Sequence, residues 1–150
     1  MACLAIAAAV FFSMGGGKLV LCDGDTGTEI ARYRLDEGEE FSITFIHSVN
    51  KTPVTDCYDC DTDGTIYLRK TIYYDFGAGV PFDLNPGEEL SYDENGAMVI
   101  SKIDRVIPDF FIFVGTVSDH TLAIGEEEIS LRDLCGRNTK VRITYEPSWF

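Results

Sequence analysis

Residues 41–76 read "FSITFIHSVNKTPVTDCYDCDTDGTIYLRKTIYYDF", and this stretch decides the fold class. Phe41, Ile43, Phe45 and His47 occupy alternate positions, the period of a strand with one face turned inward. Ser48, Asn50, Lys51 and Thr52 interrupt that run as a polar bend, and Pro53 restricts the residue before it to extended backbone. Pro53–Asp59 and Thr65–Phe76 then flank "CDTDG", the composition of a hairpin tip. Consecutive hairpins of this kind make antiparallel sheet.

The same pattern extends outward in both directions. Lys18–Cys22 and Glu29–Leu35 flank "DGDTGT", a second hairpin connection. Short runs rich in β-branched and aromatic residues recur at Ala97–Ile103, Phe110–Thr116, Thr121–Ile124, Glu127–Ser130 and Lys140–Glu146. Residues 82–96, "FDLNPGEELSYDENG", read as the one long polar connection. A single helical turn is predicted at Ser130–Leu134, with Ser130 as its cap. About ten short strands without a helical apolar period predict an all-β fold, an antiparallel β-sandwich or a partly closed barrel. No repeat or linker divides the chain, so residues 18–150 are expected to form a single β domain.

The first seventeen residues, "MACLAIAAAVFFSMGGG", carry no charge. Their apolar run, Ala2–Met14, is shorter than the roughly 20 residues of a membrane-spanning helix and suits the core of a signal peptide. Ser13-Met14-Gly15 offers a cleavage site, although no basic residues precede the apolar run. Residues 1–17 are therefore expected to be a hydrophobic leader or the remnant of a membrane anchor. Leu21 before Cys22 argues against a lipoprotein. An extracytoplasmic location follows, with membrane contact only through the N-terminal segment.

A net charge of −13 speaks against general nucleic-acid binding and against attachment to anionic lipid, since both need a basic face. Five cysteines, Cys3, Cys22, Cys57, Cys60 and Cys135, give no disulfide framework. In an extended strand Cys57 and Cys60 stand about 10 Å apart on opposite faces, and no second ligand pair supports zinc, so structural cysteines are expected, with one long-range disulfide as the alternative. Asp59-x-Asp61-x-Asp63-Gly64 opens like a calcium loop. Its twelfth position is Lys70 where a glutamate is required, and an acidic hairpin tip fits better. No metal site and no cofactor are expected.

Candidate binding residues cluster in two segments. His47, Ser48, Asn50, Lys51, Thr52 and Pro53 follow the third strand, and Phe76, Gly77, Gly79 and Pro81 lie in "FGAGVP". Ser48 falls on the face opposite His47, which removes a serine–histidine pair. An enzyme would need His47 as general base, oriented by Asp56 or Asp75. The Gly-Ala-Gly backbone can be approached closely by a ligand, or can be only a tight corner.

The ordered series "LVLCDGDTG", "EFSITFIHSVNKTPV", "TIYYDFGAGVP", "MVISKIDRVIPDFFIFVG", "HTLAI" and "ISLRDL" resembles the bacterial family known as domain of unknown function 1850, over nearly the whole chain from Leu19 to Tyr145. Its signature is matched at His47, Ser48, Val49, Thr52, Pro53 and Val54, and again from Phe76 to Pro81. The resemblance implies a neighbouring tripartite ATP-independent periplasmic (TRAP) transporter of the TAXI class, whose permease or solute-binding subunit would be the partner. It implies no enzymatic activity and no catalytic residues. The expected function is an extracytoplasmic accessory or binding protein acting through the HSVNKTPV and FGAGVP segments. A small carboxylate receptor is the alternative, and an enzyme a more distant one.

Overall fold

The computed structural model describes residues 16–49, 51–75 and 83–148. Twelve strands and one short helix follow one another as β1 (Gly16–Asp23), β2 (Glu29–Asp36), β3 (Phe41–Ile46), β4 (Pro53–Cys60), β5 (Ile66–Tyr73), β6 (Glu89–Tyr92), β7 (Met98–Ser101), β8 (Arg105–Val106), β9 (Phe110–Phe113), β10 (His120–Ile124), β11 (Glu127–Ser130), α1 (Leu131–Cys135) and β12 (Lys140–Pro147). They form two antiparallel sheets, a sandwich and not a closed barrel. The smaller sheet runs β2-β1-β12-β9. The larger runs β11-β10-β3-β4-β5-β7-β6, with β8 pairing β5.

Both predicted hairpins form. Asp23 caps the β1–β2 turn, accepting the backbone N–H of Asp25 and Thr26. At the β4–β5 tip, Gly64 N–H donates to the Asp61 carbonyl and Thr65 N–H to Asp63 Oδ1, so the acidic tip closes on itself. Asp59 lies back in the strand, where its carboxylate accepts Arg69 Nε at 2.8 Å. Ser130 caps α1 as predicted, its hydroxyl oxygen accepting the Asp133 amide at 3.1 Å.

Two strands depart from expectation. The polar connection at 82–96 contains β6, which pairs β7 in the register Glu89↔Ser101 to Tyr92↔Met98. Leu90 and Tyr92 alternate with Glu89 and Ser91, but the run is only four residues within a stretch rich in Gly, Asp, Asn and Pro, and all four are exposed, so no buried face marks it. Arg105–Val106 pairs only Tyr67 and Leu68, a two-residue strand too short to have a period. His47 stands just outside β3, half-buried in a turn where its N–H donates to the Thr52 carbonyl and Lys51 N–H donates to its own carbonyl.

The core lies between the sheets. Leu19, Leu21, Val141 and Ile143 of the smaller sheet meet Phe41, Ile43, Leu122 and Ile124 of the larger one, with Leu35, Val114 and Leu131 closing the ends. Cys22, Cys57, Cys60 and Cys135 are free thiols. Burial raises the Cys57 thiol, and burial with nearby Asp59 pushes Cys60 up to about 12, so both stay protonated and inert.

Candidate functional site

The register of the larger sheet sets the site. Across its inner face one row reads Leu122, Ile43, Asp56, Thr71, Ile100, and the next reads His120, Phe45, Val54, Tyr73, Met98. A carboxylate therefore sits on the middle strand of the sheet, on the side that faces the core. Its oxygens are held by the Thr71 hydroxyl at 2.6 Å and, at a longer 3.5 Å, by the Tyr58 hydroxyl. Burial raises the Asp56 pKa, and these two hydrogen bonds oppose the rise only in part.

Facing this row is β9, the edge strand of the smaller sheet. Between them lies a slot of about 240 Å³, lined by Ile43, Phe45, Asp56, Tyr58, His120 and all four residues of β9. At one end Phe41, Tyr58 and Phe110 form a ring cluster, with Tyr58 and Phe110 centroids 4.7 Å apart. Toward the other end His120 stacks on Phe45 at 6.0 Å. Burial lowers the His120 pKa against the pull of neighbouring Asp119, so the ring is held neutral, and its Nδ1 is buried without a hydrogen-bond partner. A larger cleft of about 370 Å³ runs between residues 63–66, 106–110 and 142–144, but among the described residues it presents no buried unsatisfied polar atom.

Asp56 and His120 lie on strands two apart and two residues out of step, which places their Cα atoms about 12 Å from each other. Among the described residues no hydrogen bond joins them. They polarise two parts of one apolar slot and do not form an acid–base pair.

His120 is anchored from behind by Asp119. Asp119 Oδ1 accepts the backbone N–H groups of His120 at 2.7 Å and Arg132 at 2.9 Å, while Oδ2 accepts the Ser130 hydroxyl. Burial works to raise this carboxyl, but the Ser130 hydroxyl and the two amides hold it below the usual range.

Of the residues singled out in the sequence, the described ones gather at the His120 end of the larger sheet. His47 Nδ1 accepts the Val49 amide at 3.3 Å, Ser48 and Lys51 are exposed, and Thr52 and Pro53 lead into β4. Lys51 adopts a left-handed backbone with φ of 58°, which tightens this turn. Tyr74 N–H donates to the Pro53 carbonyl at 3.4 Å, so β5 ends beside the start of β4. Asn50, Phe76, Gly77, Gly79 and Pro81 lie outside the described residues. None of the described residues of the two segments lines the slot.

The lining residues were weakly marked in the sequence. Asp56 interrupts the apolar phase Val54–Asp56–Tyr58, a charged residue where an inward side chain is due. His120 had only its neighbours Asp119 and Thr121 to mark it.

The family model described as "Domain of unknown function (DUF1850)" matches residues 41–131, more than half of the chain. The chain belongs to this DUF1850 family. No curated protein and no solved structure matches it. The matched segment carries the whole larger sheet and β9, so every residue lining the slot falls inside the DUF1850 match. β1, β2 and β12 fall outside it.

A pH test isolates Asp56. Its raised folded-state pKa means that the stability of the protonated form is complete below about pH 4 and is lost as pH rises through the folded value. Asp56→Asn should thus stabilise the fold by about 1 kcal/mol at pH 7 and by nothing at about pH 4. Urea denaturation at the two pH values measures it, and an equal effect at both would refute the assignment. His120 acts in the opposite sense. Its lowered pKa makes stability fall as pH drops below about 6.5, and His120→Ala should remove that acid limb.

Proposed function

We propose that this DUF1850 protein is an extracytoplasmic accessory or binding protein, not an enzyme, which takes an apolar group of its partner into the slot between β9 and the larger sheet. The observation that carries this reading is the slot itself: nine lining residues, seven of them apolar or aromatic, with Asp56 and His120 as fixed polar points. Sites of that composition bind by exclusion of water and orient by a few hydrogen bonds.

The resemblance on the HSVNKTPV and FGAGVP segments supports a TRAP-TAXI permease or solute-binding subunit as the partner. Attachment of the leader to the membrane would bring the domain to the same face. A carboxylate as the bound group is less well supported by the slot, whose lining holds Asp56 and no lysine or arginine. An enzymatic role would require a paired base, and Asp56 is engaged by Thr71 and Tyr58.

The test is co-purification from membranes with the transporter subunits. His120→Ala should cut recovery at least about fivefold while changing stability by less than about 1 kcal/mol at pH 7, since the ring leaves one polar atom unsatisfied. Full recovery with the variant would remove the slot from the binding surface.

A further inference from the structure

Sheet edges in natural proteins are usually blunted by charge, because unpaired backbone N–H and C=O groups template the pairing of another chain. Among the described residues the other edge strands obey that rule: β2 carries Glu29, Arg32, Arg34 and Asp36, β6 carries Glu89, β8 carries Arg105, and β11 carries Glu127 and Glu128. β9, "FFIF", carries no charge, and among the described residues it pairs on one side only, with β12. Val114 N–H donates to the Thr139 carbonyl just before β12, so alternation turns the Ile112 and Phe110 backbone toward β12 as well. The N–H and C=O groups of Phe111 and Phe113 face the free edge. The slot runs along the same edge, touching residues of both faces of β9.

The outer rim adds a second observation. Lys140 Nζ stands 4.3 Å from the centre of the Phe111 ring and the Arg142 guanidinium 5.9 Å, both reaching from β12 toward the edge. Neither makes an ion pair among the described residues, in a chain with 25 acidic and 12 basic side chains.

We propose that the free edge of β9 is a strand-addition site for an extended segment of a partner protein, apolar at positions facing the slot and acidic at positions facing Lys140 and Arg142. Such a segment would hydrogen-bond to Phe111 and Phe113 and seat one apolar side chain in the slot, the usual division between main-chain affinity and pocket specificity. A second copy of this chain fits poorly. Its own β9 offers no carboxylate, and two chains of −13 repel one another. The leader, without any charge, offers none either. The proposal rests on the slot as a binding surface and adds the form and charge of what occupies it.

The probe is an acetylated, amidated heptapeptide that alternates valine with two glutamates and is closed by threonine at each end. Titrated into the full chain, it should slow amide exchange at Phe111 and Phe113 at least about tenfold and leave Phe110 and Ile112 unchanged. K140E/R142E should weaken the glutamate peptide about tenfold and favour a lysine-for-glutamate peptide instead. Phe113→Pro, which deletes an outward N–H without touching the β12 ladder, should abolish protection at Phe111. Absence of protection at Phe111 and Phe113 would overturn strand addition, as would equal binding of both peptides or self-association protecting the same amides. Shifts confined to slot residues would overturn it too, while leaving the slot in place. Loss of transporter co-purification with peptide protection intact would instead defeat only the transporter reading.

Discussion

Replacing Phe41 with alanine should cost the fold about 4 kcal/mol, the middle of the range for truncation of a buried aromatic ring. The ring is 1 % exposed and stacks on Tyr58 at 5.2 Å, with Phe110 of the opposite sheet 6.3 Å away. It thus helps join the β3–β4 ladder to β9 of the opposite sheet, a contact made through side chains alone. Removing it leaves a void between two sheets whose backbones are each fixed by their own ladders, so collapse can be only partial. Phe41→Leu should cost less than half as much, because the remaining side chain fills most of the volume. Equilibrium urea unfolding measures both. A loss below about 1.5 kcal/mol in the alanine variant would mean that the sheets close over the gap. Because Tyr58 and Phe110 also line the slot, the same variant should bind its partner poorly even where it remains folded.

Asp119→Ala should cost about 3 kcal/mol, a large effect for a residue that is only half-buried. Its carboxylate accepts from three donors on three elements: the amide that opens β10, the Ser130 hydroxyl that ends β11, and the Arg132 amide in the first turn of α1. Ser130 in turn accepts the Asp133 amide, so the helix cap and the carboxylate form one connected network. Deleting one member strands the others. The effect has a pH signature with a definite sign. A carboxyl held below its usual range contributes stability that is present above about pH 4 and disappears as pH falls through the depressed value. The variant should therefore lose most at neutral pH and converge on the wild type in strong acid. Asp119→Asn, which keeps an acceptor for the amides, should retain about half of the stability. A pH-independent loss would show that packing, and not the charge, is what Asp119 supplies.

In the sequence Asp119 and His120 are adjacent polar residues with no motif around them. The first accepts the backbone amide of the second, whose ring lies in the slot. The segments HSVNKTPV and FGAGVP stand out by motif, and the described part of the first forms the turn at the same end of the sheet. The slot itself lies one row deeper, on side chains that belong to strands and not to loops.

Local chemistry is what the amino-acid sequence by itself determined. Alternation at Phe41, Ile43 and Phe45, the Asp-Gly composition of two tips, and Ser130 before "LRDL" were enough for β3, the two hairpins and the helix cap, because each depends on residues a few positions apart. Tertiary structure alone decided that β12 returns to β1 across the whole chain, that β9 ends the smaller sheet, and that β4 lies at the middle of the larger one. On a central strand both faces are covered, as the burial of Thr55 and Cys57 beside Val54 and Tyr58 shows, so the inward phase of Asp56 does not by itself say how its carboxylate is buried or which groups it meets. Partner strands set that, through burial that no local period encodes.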